Sequence, residues 1–159
     1  HTVSPSMDIQ VASNFERLIF DVCSQDAKRI LELMNDLKER GEFKLEENEL
    51  KKIRENFCSD SLSEDETKLT IKEIYKNIKI LIDPHTAVAI GVSKKISLKE
   101  NTIILSTAHP AKFSNIIAKE TGVNPELPEG LENILIDKES YKKLPHDLKK
   151  IQSYILEKI

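Results

Sequence analysis

The chain has 159 residues, of which 39% are hydrophobic and 32% charged, with 24 basic and 27 acidic side chains and a net charge of −3. This composition supplies enough apolar material for a packed core and excludes a wholly disordered chain. The near balance of charge gives no general attraction to nucleic acid or anionic lipid, so we expect neither as a partner.

Other sequence features bear on compartment and processing. No run approaches the ~20 apolar residues that span a bilayer, and no signal peptide is recognisable. The two cysteines, Cys23 and Cys58, form no CxxC pair. We therefore expect two reduced thiols in a cytoplasmic protein, with no disulfide framework and no metal site. The chain opens at His1 without a methionine, so we expect a fragment or a processed product.

The first half of the chain has the pattern of amphipathic helices. An irregular leading segment (1–14) precedes a helical layer (15–82). Ser13 with Glu16, and Ser63 with Glu66, have the spacing of capping boxes at helix starts. A helix from about residue 26 to 40 should end at Gly41, which favours the left-handed conformation of a helix end. Apolar residues at helical spacing predict a third helix near residues 50–57.

The pattern changes in residues 83–122, which we interpret as helix–strand–helix. Asp83 followed by proline predicts a helix start, and Gly91 should let that helix pack closely. The apolar run 102–106 is typical of a buried strand in a parallel sheet. A further helix should begin at Pro110 and end at Gly122. Because a single strand cannot satisfy its own ladder hydrogen bonds, its sheet partners should lie in sequence outside this chain.

The last segment (123–159) should contain a surface loop and a C-terminal helix. Pro125, Pro128 and Gly130 mark the loop. Residues 145–159 follow as a helix whose leucines and isoleucines should face inward, namely Leu148, Ile151 and Ile155.

Two hydroxyl residues, Ser106 and Thr107, end the predicted strand beside the next helix. Ligands of open α/β sheets bind outside the carboxyl ends of strands, so either hydroxyl could contact a phosphate or a ring nitrogen. The alternative is that Thr107 or His109 only caps the helix. His109 as a metal ligand has no second ligand at suitable spacing.

Asp83 and His85 are the second candidates for lining an active site. The plainer alternative is that Asp83 caps a helix and His85 lies on the surface of its first turn. Lys112 resembles a cofactor-binding lysine only in type. One turn into an amphipathic helix, it is better interpreted as a surface charge.

Four blocks of this sequence, in the same order, resemble threonine synthase in its longer bacterial and fungal form. Together they span residues 1 to about 115, followed by a tail of the kind that varies in the family. Any one block could arise by chance, whereas four in register are specific. The blocks are residues 4–9 (SPSMDI), 13–18 (SNFERL), 83–88 (DPHTAV) and 107–113 (TAHPAKF).

The resemblance implies the mostly helical C-terminal portion of a fold-type-II pyridoxal-phosphate enzyme, α/β overall, with few strands of its own. It implies a carbon–oxygen lyase of threonine biosynthesis that converts O-phospho-L-homoserine and water to L-threonine and phosphate. The Schiff-base lysine and the glycine-rich phosphate loop would lie in a missing N-terminal part, so no catalytic residue is expected here. Thr107, or alternatively Ser106, would contact the pyridine nitrogen, with Asp83, His85 and His109 lining the site.

Two interpretations therefore follow. In the first, the chain is inactive alone, its partner is the missing N-terminal part, and the intact enzyme is a monomer. In the second, the chain is a stand-alone helical module for protein interaction without catalysis. Upstream sequence discriminates them, because a Phe-Lys-Asp segment with a glycine-rich loop would establish the enzyme.

Overall fold

The structure is a computed structural model that describes residues 2–9, 11–96 and 101–159. It divides into two compact units, His1–Glu126 and Leu127–Ile159. Among the described residues the regular structure is helical, which confirms the mostly helical architecture expected from the sequence.

The first unit contains six α-helices among its described residues. In chain order they are α1 (Ser13–Val22), α2 (Ala27–Arg40), α3 (Glu47–Arg54), α4 (Glu64–Ile78), α5 (Pro84–Ile96) and α6 (Ser114–Thr121), and a 3-10 turn (Pro110–Phe113) leads directly into α6. Helix α1 packs against α2 and α3, whereas α4 packs against α5 and α6.

Two separate apolar cores result from these contacts. The first core consists of Ile19, Cys23, Ile30 and Leu33 on α1, α2 and the turn between them. The second core consists of Ile71, Ile82, Ala87 and Ile117, and it joins α4, α5 and α6. The second core positions the N-terminus of α5, where two of the candidate site residues, Asp83 and His85, lie.

Helix ends follow the local signals in most cases. Ser63 caps α4 in a capping box with Glu66, and Gly41 and Gly122 end α2 and α6 with φ of 77° and 76°. These predictions are confirmed. The capping box predicted for Ser13 is wrong, because Ala12 is the N-cap residue of α1 and makes no side-chain cap bond.

Gly91 is confirmed as a site of close packing. A Cβ on Gly91 would lie 2.5 Å from Cδ2 of Leu62, so the glycine makes room for that leucine on the surface of α5. This contact brings the loop before α4 against α5.

The strand predicted for residues 102–106 is not formed by this chain alone. The segment has no strand assignment, and Ile103 and Leu105 are 88% and 72% exposed. The physical reason is that a strand needs a ladder partner, and the described part of the chain offers none. The predicted helix–strand–helix of residues 83–122 therefore has its helices without its strand.

The second unit contains a loop and helix α7 (Leu148–Leu156). Lys142 Nζ lies 4.4 Å from the ring centroid of Tyr154 within this unit. The inward orientation predicted for the C-terminal helix is wrong for Leu148 and Ile155, which are 72% and 51% exposed. A unit this short has too little chain to cover an apolar helix face.

Candidate functional site

The N-terminus of α5 is built around a buried carboxylate. Asp83 is fully buried, and its Oδ1 accepts hydrogen bonds from the backbone N–H groups of His85 at 2.9 Å and Thr86 at 3.4 Å. The first N–H groups of a helix have no partner within the helix, so a carboxylate at this position satisfies them. The predicted capping role of Asp83 is therefore confirmed.

The second oxygen of Asp83 starts a chain of hydroxyl groups. Thr86 Oγ1 donates a short hydrogen bond to Asp83 Oδ2. The Ser106 hydroxyl lies 3.4 Å from Thr86 Oγ1. A hydroxyl has a single proton, and Thr86 gives its proton to the carboxylate. Ser106 is therefore the donor in the Ser106–Thr86 contact.

His85 connects three segments of the chain. Its Nδ1 lies 3.1 Å from Asp83 Oδ1, and its Nε2 accepts a hydrogen bond of 3.2 Å from the backbone N–H of Ser6. The ring also meets the Phe113 ring edge-on at a centroid distance of 4.9 Å. Because Nε2 accepts from Ser6, Nδ1 is the ring nitrogen whose N–H faces Asp83 Oδ1.

The interpretation of His85 as a surface residue is wrong, because His85 is 4% exposed. Asp83 is also buried, so in this chain neither residue lines an open surface. Asp83 is linked through Thr86 to Ser106, in the segment that also carries Thr107.

Thr107 and His109 lie on the exposed side of this arrangement. The Thr107 hydroxyl has no hydrogen-bond partner in the described part of the chain, whereas His109 Nδ1 accepts from the backbone N–H of Ala111 at 3.2 Å. His109 is thus the N-cap of the 3-10 turn, which confirms the capping alternative for this residue. Of the residues singled out at this end, Thr107 has an uncommitted donor.

Lys112 is exposed, and its Nζ lies 5.7 Å from the centroid of the Phe113 ring. A lysine that binds a carbonyl cofactor needs a desolvated or cation-flanked setting to lose its proton. Lys112 has no such setting, which agrees with its interpretation as a surface charge.

Sequence reasoning missed the connecting residues of the site, Ser6, Thr86 and Phe113. The spacing of Thr86, three residues after the cap residue Asp83, was a local signal that could have identified it. Ser6 had no such signal, because its partner His85 is 79 positions away in the chain.

Two features are absent from the residues that the structure describes. Among the described residues there is no group of three or more histidines, cysteines or acidic residues placed to hold a metal ion. None of the helices described is long and apolar enough to cross a membrane. A groove of about 1050 Å³ in the first unit lies elsewhere, between α1 and α3, and is lined mainly by apolar residues such as Phe15, Leu18, Ile53 and Phe57.

Comparison with known proteins gives consistent matches. The family profile "Threonine synthase, C-terminal" matches residues 86–155. Threonine synthase of Pseudomonas aeruginosa is 36% identical over 97% of this chain, which covers 34% of that protein. Threonine synthase of Saccharomyces cerevisiae is 34% identical over 96% of this chain and 31% of its own length.

Solved structures agree with these sequence matches. A PLP-bound threonine synthase from Brucella melitensis superposes with a TM-score of 0.79 and 38% identity over 98% of this chain and 34% of its own. The yeast enzyme superposes with a TM-score of 0.75 and 29% identity over the whole of this chain and 37% of its own. The chain therefore spans about a third of the length of the relatives it matches.

These matches place the chain in a family of enzymes, of which it represents the C-terminal region. The family to which it belongs is that of the threonine synthases.

Proposed function

We propose that the chain forms the C-terminal part of a threonine synthase, a fold-type-II enzyme that converts O-phospho-L-homoserine and water to L-threonine and phosphate in the cytoplasm. The observation that carries the proposal is the 36% identity with threonine synthase over 97% of the chain. The Brucella melitensis structure contains pyridoxal phosphate, which supports the same cofactor here.

The residues present fit one end of this cofactor. Thr107 is exposed, and its hydroxyl has no partner in the described segments, so it can donate a hydrogen bond to a pyridine nitrogen. A hydroxyl is a weak acid and can donate without making the nitrogen cationic. Pyridoxal phosphate supplies an electron sink when bound, and a neutral donor makes that sink milder. The reaction removes protons at two carbons and expels phosphate from a third, for which a tempered sink is suited.

The partner that we propose is the N-terminal part of the same enzyme, which would supply the Schiff-base lysine. The single Phe-Lys pair in this sequence, Phe43-Lys44, is followed by Leu45 rather than the aspartate of the family motif. Ile103 and Leu105 are highly exposed, and residues 103–107 form no strand ladder with the rest of the described chain. Pairing with a strand of the N-terminal part would bury these side chains and satisfy the backbone groups. The chain alone is then inactive, and we propose that the complete enzyme is a monomer.

The experiment is an assay of the full-length enzyme for phosphate release and threonine formation from O-phospho-L-homoserine. Thr107→Val keeps the shape of the side chain and removes the donor, so kcat should fall by roughly 2–12-fold, the value of one net hydrogen bond. Thr107→Ser is the matched control that keeps the hydroxyl, and it should remain close to the unmodified enzyme. Absence of phosphate release by the full-length protein would disprove the proposed activity.

Ser106→Ala tests the alternative cofactor contact. We expect its kcat to fall less than that of Thr107→Val, because Ser106 gives its proton to Thr86. The opposite ranking would transfer the nitrogen contact to Ser106, and an unchanged kcat in both variants would leave the segment without a role at the cofactor.

A further inference from the structure

The Asp83 carboxylate makes more contacts than helix capping requires. Capping uses one oxygen, and Oδ1 performs it for His85 and Thr86. The other oxygen receives the Thr86 hydroxyl, and the His85 ring also lies at Oδ1. In the described residues the partners of this fully buried carboxylate are two backbone N–H groups, the Thr86 hydroxyl and the His85 ring. A buried carboxylate depends on its hydrogen bonds, so these contacts hold a defined geometry.

The hydrogen bonds of this cluster run in one direction, from Ser106 through Thr86 to Asp83. Thr86 donates its single hydroxyl proton to Asp83, and Ser106 in turn donates to Thr86. The Ser106 proton therefore points inward, toward the buried carboxylate. Thr107, the next residue, has no such commitment among the residues described. The cluster thereby distinguishes two adjacent hydroxyls that the sequence alone leaves equivalent.

The segment that carries these hydroxyls is irregular and largely exposed. Residues 101–107 are in neither helix nor strand, and Ile103 and Leu105 project into solvent. The Ser106–Thr86 contact ties this segment to the first turn of α5, which the second core holds in place. Holding the Ser106 side chain restricts the position of Thr107, whose Cα lies one planar peptide unit away.

We propose that Asp83 and Thr86 are positioning residues, which hold Ser106 and thereby direct the Thr107 hydroxyl toward the cofactor nitrogen. This inference rests on the proposed function, because it assumes that Thr107 faces the pyridine ring. Neither Asp83 nor Thr86 touches the cofactor in this arrangement. Their effect depends on the contact between Thr86 and Ser106. The contact can be tested because either side chain can be removed separately by substitution.

The test uses the full-length enzyme with Thr86→Val, Ser106→Ala and the double variant, and it measures the dissociation constant of pyridoxal phosphate together with kcat. A long hydrogen bond between neutral groups is weak, so each single variant should weaken cofactor binding by about 2-fold. The double variant should be no weaker than either single variant, because both remove the same contact. Thr86→Ser keeps the hydroxyl and should restore binding.

Thermal stability separates positioning from folding. Thr86 is 4% exposed, so Thr86→Val should lower Tm, whereas Ser106 is exposed and Ser106→Ala should leave Tm unchanged. Equal effects on the cofactor with unequal effects on Tm support the proposal. A Thr86→Val enzyme with unchanged cofactor affinity, or a double variant whose loss is the product of the two single losses, overturns it.

A further experiment tests the proposal even if the Thr86→Val enzyme does not fold. Ser106→Ala placed in a Thr107→Val enzyme should have no further effect, because no donor remains to be positioned. A further loss in that background overturns the positioning role alone. If Thr107→Val itself leaves the cofactor affinity and kcat unchanged, the nitrogen contact of the proposed function is disproved, and the positioning role is disproved with it.

Discussion

The described part of the first unit contains two buried carboxylates, one beside each core, and their hydrogen-bond partners differ. Beside the first core, Glu49 is paired with a cation, since Arg29 Nε and Nη2 each lie 3.0 Å from one of its carboxylate oxygens. Beside the second core, Asp83 accepts from two backbone N–H groups and the Thr86 hydroxyl, and no arginine or lysine pairs with it among the described residues. A bidentate ion pair joins one side chain of α2 to one of α3 in a specific geometry, whereas a carboxylate that accepts from several N–H and O–H groups orders each of those groups.

The Arg29–Glu49 pair is completed by two further donors. The backbone N–H of Glu46 donates to Glu49 Oε2 at 2.7 Å, and the Cys23 thiol donates to Oε1 at 3.3 Å. The Arg29 hydrogen bonds hold the pKa of Glu49 at about 2, and the same carboxylate raises the pKa of Arg29. Burial raises the pKa of the Cys23 thiol, which makes it a structural rather than a reactive cysteine. The Arg29–Glu49 pair therefore contributes to the stability of the first unit. The N-terminus of α5 instead holds polar groups in defined orientations.

The largest expected effect is on the first core. Leu33 is 1% exposed on α2, so Leu33→Ala should lower the free energy of unfolding by about 3 kcal/mol through lost burial and a cavity. Leu31 on the same helix is 63% exposed, and Leu31→Ala should change stability by less than ~0.5 kcal/mol. Urea denaturation of both variants measures the difference. Equal losses would show that α2 does not bury the face described.

The free energy of unfolding should fall at acid pH because of the Arg29–Glu49 ion pair beside the first core. The folded-state pKa of Glu49 is about 2, below its unfolded value, so its stabilisation is complete above the unfolded pKa of 4.5 and is lost as pH falls through about 2. The loss should amount to about 2 kcal/mol after allowance for the partly exposed Arg29.

Denaturation curves at several pH values measure this loss, with Glu49→Gln as the variant and Glu47→Gln as the control. Glu47 is 85% exposed and lies 3.5 Å from Arg54. Glu49→Gln should flatten the dependence of stability on acid pH, whereas Glu47→Gln should retain it. A Glu49→Gln protein that keeps the full dependence would assign the acid sensitivity to other carboxylates.

Substitutions at the starts of α4 and α1 should differ by a smaller amount in their effect on the free energy of unfolding. Ser63 caps α4 by accepting from the backbone N–H of Glu66, so Ser63→Ala should lower the stability by about 1 kcal/mol. Ser13 at the start of α1 makes no cap bond, so Ser13→Ala should be nearly neutral. Thermal melts of the two variants compare the caps directly. A cost for Ser13→Ala equal to that for Ser63→Ala would show that the predicted box at α1 forms in solution.

The smallest expected effect is a gain in stability. Lys79 ends α4 in the left-handed conformation with φ of 59°, which an L side chain adopts at a cost. Lys79→Gly should therefore raise the stability by about 0.5 kcal/mol, after allowance for the greater freedom of glycine in the unfolded chain. Lys76→Gly, inside the same helix, should instead lower it by about 1 kcal/mol. Chemical denaturation of the pair gives the sign of each change.

Helix positions and ends could be predicted because their causes are local. Gly41, Gly122 and the Ser63–Glu66 box act within a few residues of the helix ends that they define. The 102–106 segment shows where this approach fails, because an apolar run predicts a strand but the ladder depends on partners far away in sequence. The exposed positions of Leu148 and Ile155 fail for a related reason, since a helical pattern does not specify what covers its apolar face.

The candidate site divides in the same way. The capping role of Asp83 follows from Asp83-Pro84 at a helix start, which is a local pattern. The burial of His85 does not follow, because it depends on Ser6 and Phe113, which lie far from it in the chain. The direction of the Ser106 proton depends on a carboxylate that it does not touch, and sequence spacing contains no such information.

The link from Ser6 to His85 also has a consequence for the order of folding. It joins residues 79 positions apart, whereas α4 and α5 are neighbours in sequence and can pack as soon as both helices form. Contacts that close long loops are expected to form late and to open first. The contact between the turn that contains Ser6 and His85 should therefore be the last contact of the site to form during folding. In hydrogen exchange, the amide of Ser6 should exchange faster than those of the buried first turn of α5.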